Sequence, residues 1–260
     1  MKKTNLFTSL LLSLTLGATL GACQAQSDDE LSDEDYDDIA AAMSGLLGTS
    51  SGGGEVGSMA DASAMANSGA LANAEGDSGV EIVVRAGLSY EYRIDCFDIT
   101  GGLLDLCSEL TDSADVSVDW RGELDTPRYQ SSIQRTGSWS LTGLQSGTAE
   151  LSGTGSFDIE SSFMAIYRDT ERTLDLSYDA EYEGVQIDTS SHTVVGGTVR
   201  YSVQGSRLTE RGDRNRDGNF SVDAEVTFNA DSTATLLIDR ARSYEVNLDS
   251  GEVIASASVQ

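Results

Sequence analysis

Lysine is almost absent from this chain: Lys2 and Lys3 are the only two in 260 residues, and every other basic side chain is an arginine, the first at Arg85. Sixteen basic residues face 43 acidic ones, a net charge of −27. Affinity for nucleic acid and for anionic lipid comes mainly from Lys and Arg on phosphate, so this balance argues against a nucleic-acid partner. Histidine occurs once, at His192, and cysteine three times, without a C-x-x-C spacing. A redox motif is therefore missing. Two cysteines with one remote histidine make a poor metal set. No G-x-S-x-G elbow accompanies the many serines, which leaves a hydrolase without its nucleophile signature. What remains is an apolar fraction of 39%, enough to bury a core.

The first residues, MKKTNLFTSLLLSLTLGATLGAC, place two lysines ahead of an apolar run and small residues ahead of Cys23. This is the tripartite pattern of an export signal, and its apolar part is too short to span a bilayer as a helix. Leu20-Gly21-Ala22-Cys23 resembles the lipobox of bacterial lipoproteins. That resemblance implies a diacylglycerol thioether on Cys23, removal of residues 1–22, and attachment to a membrane through the lipid. Because Gln24, not Asp, follows the cysteine, it also implies an outer-membrane or cell-surface destination. The other two cysteines, Cys96 and Cys107, form an even pair. In an oxidising compartment they are expected to make a disulfide, worth roughly 2 to 3 kcal/mol for so short a loop.

Residues 23–79 hold twelve acidic residues between Gln24 and Gly79 and no basic one. Rich in Gly, Ser and Ala, this stretch reads as a flexible acidic tether. A short helix over 33–47 is expected inside it: Ser32 can cap its start, and Ile39, Met43, Leu46 and Leu47 fall at helical spacing.

From residue 80 to 260 the period is two. In Gly147 to Phe163, Ala149, Leu151, Phe157 and Ile159 alternate with Glu150, Ser152, Asp158 and Glu160. Such alternation marks a strand with one buried face. The pattern recurs through Tyr90, Tyr92 and Ile94, then Val116, Val118 and Trp120, Ile133 and Trp139, Tyr178 and Tyr182, Val199 and Tyr201, Val222 and Val226, and Tyr244 and Val246. Connections between these runs are short and polar, as antiparallel neighbours require. The expectation is an all-β domain: an antiparallel meander of about nine or ten strands forming an up-and-down or partly open barrel, with a β-sandwich as the alternative. The aromatic residues share the inward parity and read as core.

One stretch has a ligand spacing. Asp213, Asn215, Asp217, Asn219, Ser221 and Asp223 resemble the first half of an EF-hand or dockerin calcium loop, D-x-N-x-D-G. Ala224 stands where the bidentate acid belongs, and an Asp-Gly hairpin turn accounts for the same residues. Calcium is the one cofactor that the spacing admits. The chain is thus expected to be a non-enzymatic cell-envelope lipoprotein presenting a β-domain interaction or structural module. The alternatives are a binding protein holding a small apolar ligand inside the barrel, and a calcium-stabilised surface adhesion module.

Overall fold

The computed structural model of the chain describes residues 31–49, 54–68, 80–85, 88–126, 129–165, 170–211 and 214–258. Cys23 and Asp213 lie outside them, as does the segment 1–22 read as an export signal. Two helices come first, α1 (Asp33–Leu47) and α2 (Glu55–Ser68). Eleven strands follow: β1 (Val80–Arg85), β2 (Leu88–Phe97), β3 (Ser113–Thr126), β4 (Tyr129–Thr142), β5 (Thr148–Ala165), β6 (Thr170–Asp188), β7 (Val194–Arg211), β8 (Arg214–Phe228), β9 (Thr233–Ile238), β10 (Arg242–Asn247) and β11 (Glu252–Ser258). They form one antiparallel sheet in chain order, β1 at one edge and β11 at the other.

The meander is therefore realised in its open form: the sheet neither closes into a barrel nor splits into a sandwich. The expected alternation holds along the strands. Tyr90, Tyr92 and Ile94 on β2, Val116, Val118 and Trp120 on β3, Trp139 and Leu141 on β4, and Val222, Ala224 and Val226 on β8 are all buried. A polar row faces the other way. On β6 the buried parity changes from Tyr182 to Val185 and Ile187, where the pairing with β7 shifts register between Glu183 and Gln186. An inserted residue re-aims everything after it.

The apolar face is covered by the helices. Ile39, Met43, Leu46 and Leu47 of α1 and Met59, Ala62, Met65 and Ala66 of α2 belong to the same buried cluster as the strand residues. α1 packs on β9, β10 and β11, and α2 on β2, β3 and β7. Helix α1 begins with a capping box, in which Ser32 accepts from the Asp35 amide and the Asp35 side chain accepts from the Ser32 amide.

Within the acidic stretch 23–79 the expected helix over 33–47 is present as α1, and a second helix, α2, which was not expected, lies beyond it. Composition pointed to a solvated arm because glycine, serine and acid dominate it, but three acids of α1 have partners on the sheet. Asp35 pairs with Arg207 at 2.6 Å and Asp33 with Arg242. Asp37 accepts from the Tyr244 hydroxyl at 3.0 Å. The small residues of α2, Ser58, Ala62, Ser63 and Ala66, are fully buried, and their size lets a helix lie close against a sheet. A helix roughly 10 Å across, with no exposed residue from 55 to 67, covers the apolar face in place of a closing barrel.

Candidate functional site

Three places in the molecule gather chemistry. The first is inside. Arg135 lies on β4 between Ile133 and Gly137, so strand parity turns it onto the apolar face, where it is 1% exposed. Glu55, the first residue of α2, is equally buried. Their charged ends stand 3.7 Å apart and are joined through Tyr182: the Arg135 guanidinium donates to the Tyr182 hydroxyl at 2.8 Å, and that hydroxyl donates to Glu55 Oε1. Tyr201 donates to Glu55 Oε2 at 2.8 Å. The other guanidinium arm donates to Ser58 Oγ at 2.8 Å. Arg135 also lies against the rings of Phe157, Trp139 and Trp120, at 4.3, 5.0 and 5.4 Å from their centroids, an arrangement that attracts a cation.

Burial dominates the ionisation of this centre. Desolvation raises the Tyr182 phenol well above its ordinary value of 10.0 against the pull of Arg135, and desolvation followed by Glu55 does the same to Tyr201. Both phenols are therefore kept as donors. For Arg135 desolvation works downward, but Tyr182, Glu55, Tyr178 and Tyr201 outweigh it and the guanidinium sits above its ordinary value. The result is a closed polar knot in an apolar interior that fixes the N-terminus of α2 to β4, β6 and β7. It has no path to solvent through its named partners.

The second place is the polar face. A cleft of about 1160 Å³ crosses the middle strands, with the Asp239–Arg240 turn among its walls. Hydroxyls of Ser138, Ser156 and Ser202 and carboxylates of Glu181, Asp223 and Glu225 line it. Arg200 is held between Glu183 and Glu225, the latter at 3.2 Å. Acceptors dominate, and the aromatic residues that could offer a stacking platform are turned inward.

The third is the connection from β2 to β3. Cys96 and Cys107 are joined there by a disulfide, Cα to Cα 5.3 Å. Between and beside them Ile99, Leu103, Leu106 and Leu110 are 74, 68, 61 and 68% exposed.

The calcium-like residues fall on a strand. Asn215, Asp217, Asn219, Ser221 and Asp223 belong to β8, whose backbone is paired with β7 continuously from Glu210↔Asn215 to Ser202↔Asp223. Alternate positions on a strand lie roughly 6.8 Å apart along a line, so these five do not wind around one centre. Among the described residues no group of three or more His, Cys, Asp or Glu is placed to hold a metal. His192 sits in the β6–β7 turn with φ +55°, its Nδ1 3.5 Å from Ser63 Oγ of α2. That distance is at the limit of a hydrogen bond, and the serine is fully buried.

Sequence reasoning missed Arg135, Glu55 and Ser58. The signal for Arg135 was present, since a charge stood on the apolar parity of β4. In comparisons with known proteins, no family model, no curated protein and no solved structure matches this chain.

Proposed function

We propose that the chain is a non-enzymatic cell-envelope lipoprotein, attached through Cys23, whose open sheet is an interaction module. The observation that carries this reading is the occupied interior. Met59, Ala62, Met65 and Ala66 of α2 lie where a bound apolar molecule would lie, and Arg135, Glu55, Ser58, Tyr182 and Tyr201 are hydrogen-bonded to one another there. Lipid carriage would need that volume, whereas an interaction module needs only a rigid body with specific outer surfaces. The lipobox-like Leu20-Gly21-Ala22-Cys23 supports the attachment.

Two measurements test the two halves. Native purified protein, denatured and extracted with organic solvent, is expected to release no stoichiometric small molecule in mass spectrometry; an apolar compound at one per chain overturns the module reading. Radiolabelled palmitate is expected to enter the wild-type chain and not Cys23→Ala. Equal labelling, or none in either, overturns the lipid attachment.

A further inference from the structure

The described residues include six exposed large hydrophobic side chains, and four of them, Ile99, Leu103, Leu106 and Leu110, stand on the single loop between β2 and β3. Burying such side chains is a main source of folding stability, so leaving four in water forgoes a large stabilisation. The loop is able to bury leucine, because its neighbour Leu104 packs against the core. It does not bury these four.

Nor is their exposure a matter of slack chain. The Cys96–Cys107 bond closes the loop, and Leu104 N donates to the Cys96 carbonyl at 2.8 Å. At the tip, Asp98 Oδ1 accepts from Thr100 N and Gly102 N at 2.8 Å each and from Thr100 Oγ1 at 2.6 Å. These bonds, the Thr100 hydroxyl first, hold the Asp98 carboxyl below its ordinary value. At the base, buried Thr111 accepts from Ser108 N at 2.9 Å, Asp112 N donates to the Phe97 carbonyl at 2.8 Å, and Gln145 Nε2 donates to the Leu110 carbonyl at 2.8 Å. Two neighbouring elements thus hold the loop in one shape, and a pre-ordered contact surface loses less entropy on binding.

Charge selects the occupant. From Asp95 to Asp115 the chain carries Asp95, Asp98, Asp105, Glu109, Asp112 and Asp115 and no basic residue. An anionic bilayer would be repelled, and a second copy would bring the same six acids against these. The complementary surface is apolar at its centre and basic at its rim. We infer that loop 97–112 is a docking knob for a protein partner that offers an apolar recess bordered by Lys and Arg. This rests on the interaction-module reading and names the surface and the partner's chemistry.

The test uses the full chain and a fluorescent amphipathic helix of leucine and lysine, with a leucine–glutamate helix of the same pattern as control. Anisotropy is expected to show the Leu–Lys helix binding and the Leu–Glu helix not. Leu103→Ser/Leu106→Ser/Leu110→Ser should weaken binding at least tenfold with an unchanged melting temperature. Asp105→Asn/Glu109→Gln should weaken it less and flatten its dependence on salt. Equal affinity of wild type and the serine variant overturns the knob, since the general acidity of the chain would then carry the binding. So does loop-dependent flotation with phosphatidylcholine vesicles, which would make lipid the occupant, or loop-dependent dimerisation in sedimentation velocity. A bound apolar molecule in the extraction above overturns the underlying reading instead, so the two failures are told apart.

Discussion

Arg135 shows how one side chain can hold two layers together. Its partners come from α2 and β6, while the aromatic rings around it come from β3, β4 and β5. Removing one member of a buried ion pair leaves the other uncompensated, at a cost of about 3 to 5 kcal/mol. Arg135→Met should therefore lower the unfolding free energy by that amount in urea titration, and Arg135→Met/Glu55→Gln should recover much of it. If the double variant is as unstable as the sum of the singles, the pair is not the interaction that matters. The phenols give a pH signature. Tyr182 and Tyr201 titrate far above 10.0 in the folded chain and near it when unfolded. Their contribution is complete below about pH 10 and is lost as pH rises towards the folded values, because only the unfolded state then releases the protons. Stability should fall above pH 10 by about 1.4 kcal/mol per pH unit for each tyrosine, and Tyr182→Phe/Tyr201→Phe should flatten the slope. At this scale parity announced Arg135, but the identity of its partner did not follow, since Glu55 lies on another element with no sequence relation to β4.

Among the elements, the strands were the most legible and the second helix the least. Inward positions on β2, β3 and β8 follow directly from alternation, since burying one face of a strand is a local pattern. α2 carries Val56, Met59, Ala62, Met65 and Ala66 at helical spacing, yet its small residues and glycine-rich surroundings look like linker. Tertiary packing, not propensity, makes it a helix. Met59→Asp discriminates the two views. On a free arm it would be silent. In a helix whose Met59 is fully buried it should destabilise by more than about 4 kcal/mol, from a cavity change together with a buried charge. The pairing of β4 with β5 is similarly exacting. Gly153 pairs with Trp139 of β4, lies where the pairing of β5 with β6 shifts register between Leu151 and Gly153, and has φ +151°. A Cβ there would meet the Ser138 carbonyl and come within 2.9 Å of the Trp139 Cα. Gly153→Ala should lower the melting temperature by several degrees, whereas Gly147→Ala, which meets nothing within 4 Å, should leave it unchanged.

For the whole molecule, composition and periodicity alone determined an acidic, all-β, antiparallel meander with one apolar face, because each of those properties is local or additive. Only the tertiary structure decided what covers that face. A curved sheet can hide its apolar side by closing edge to edge, by stacking on a second sheet, or by enclosing something else, and strand parity is identical in all three. Here the covering is the chain's own acidic N-terminal segment, whose helices meet Arg207, Arg242 and Arg135 across eighty or more residues of sequence. Contacts at such separation leave no periodic trace in either partner, so Asp33, Asp35, Asp37 and Glu55, which looked like solvation for a tether, are docking contacts.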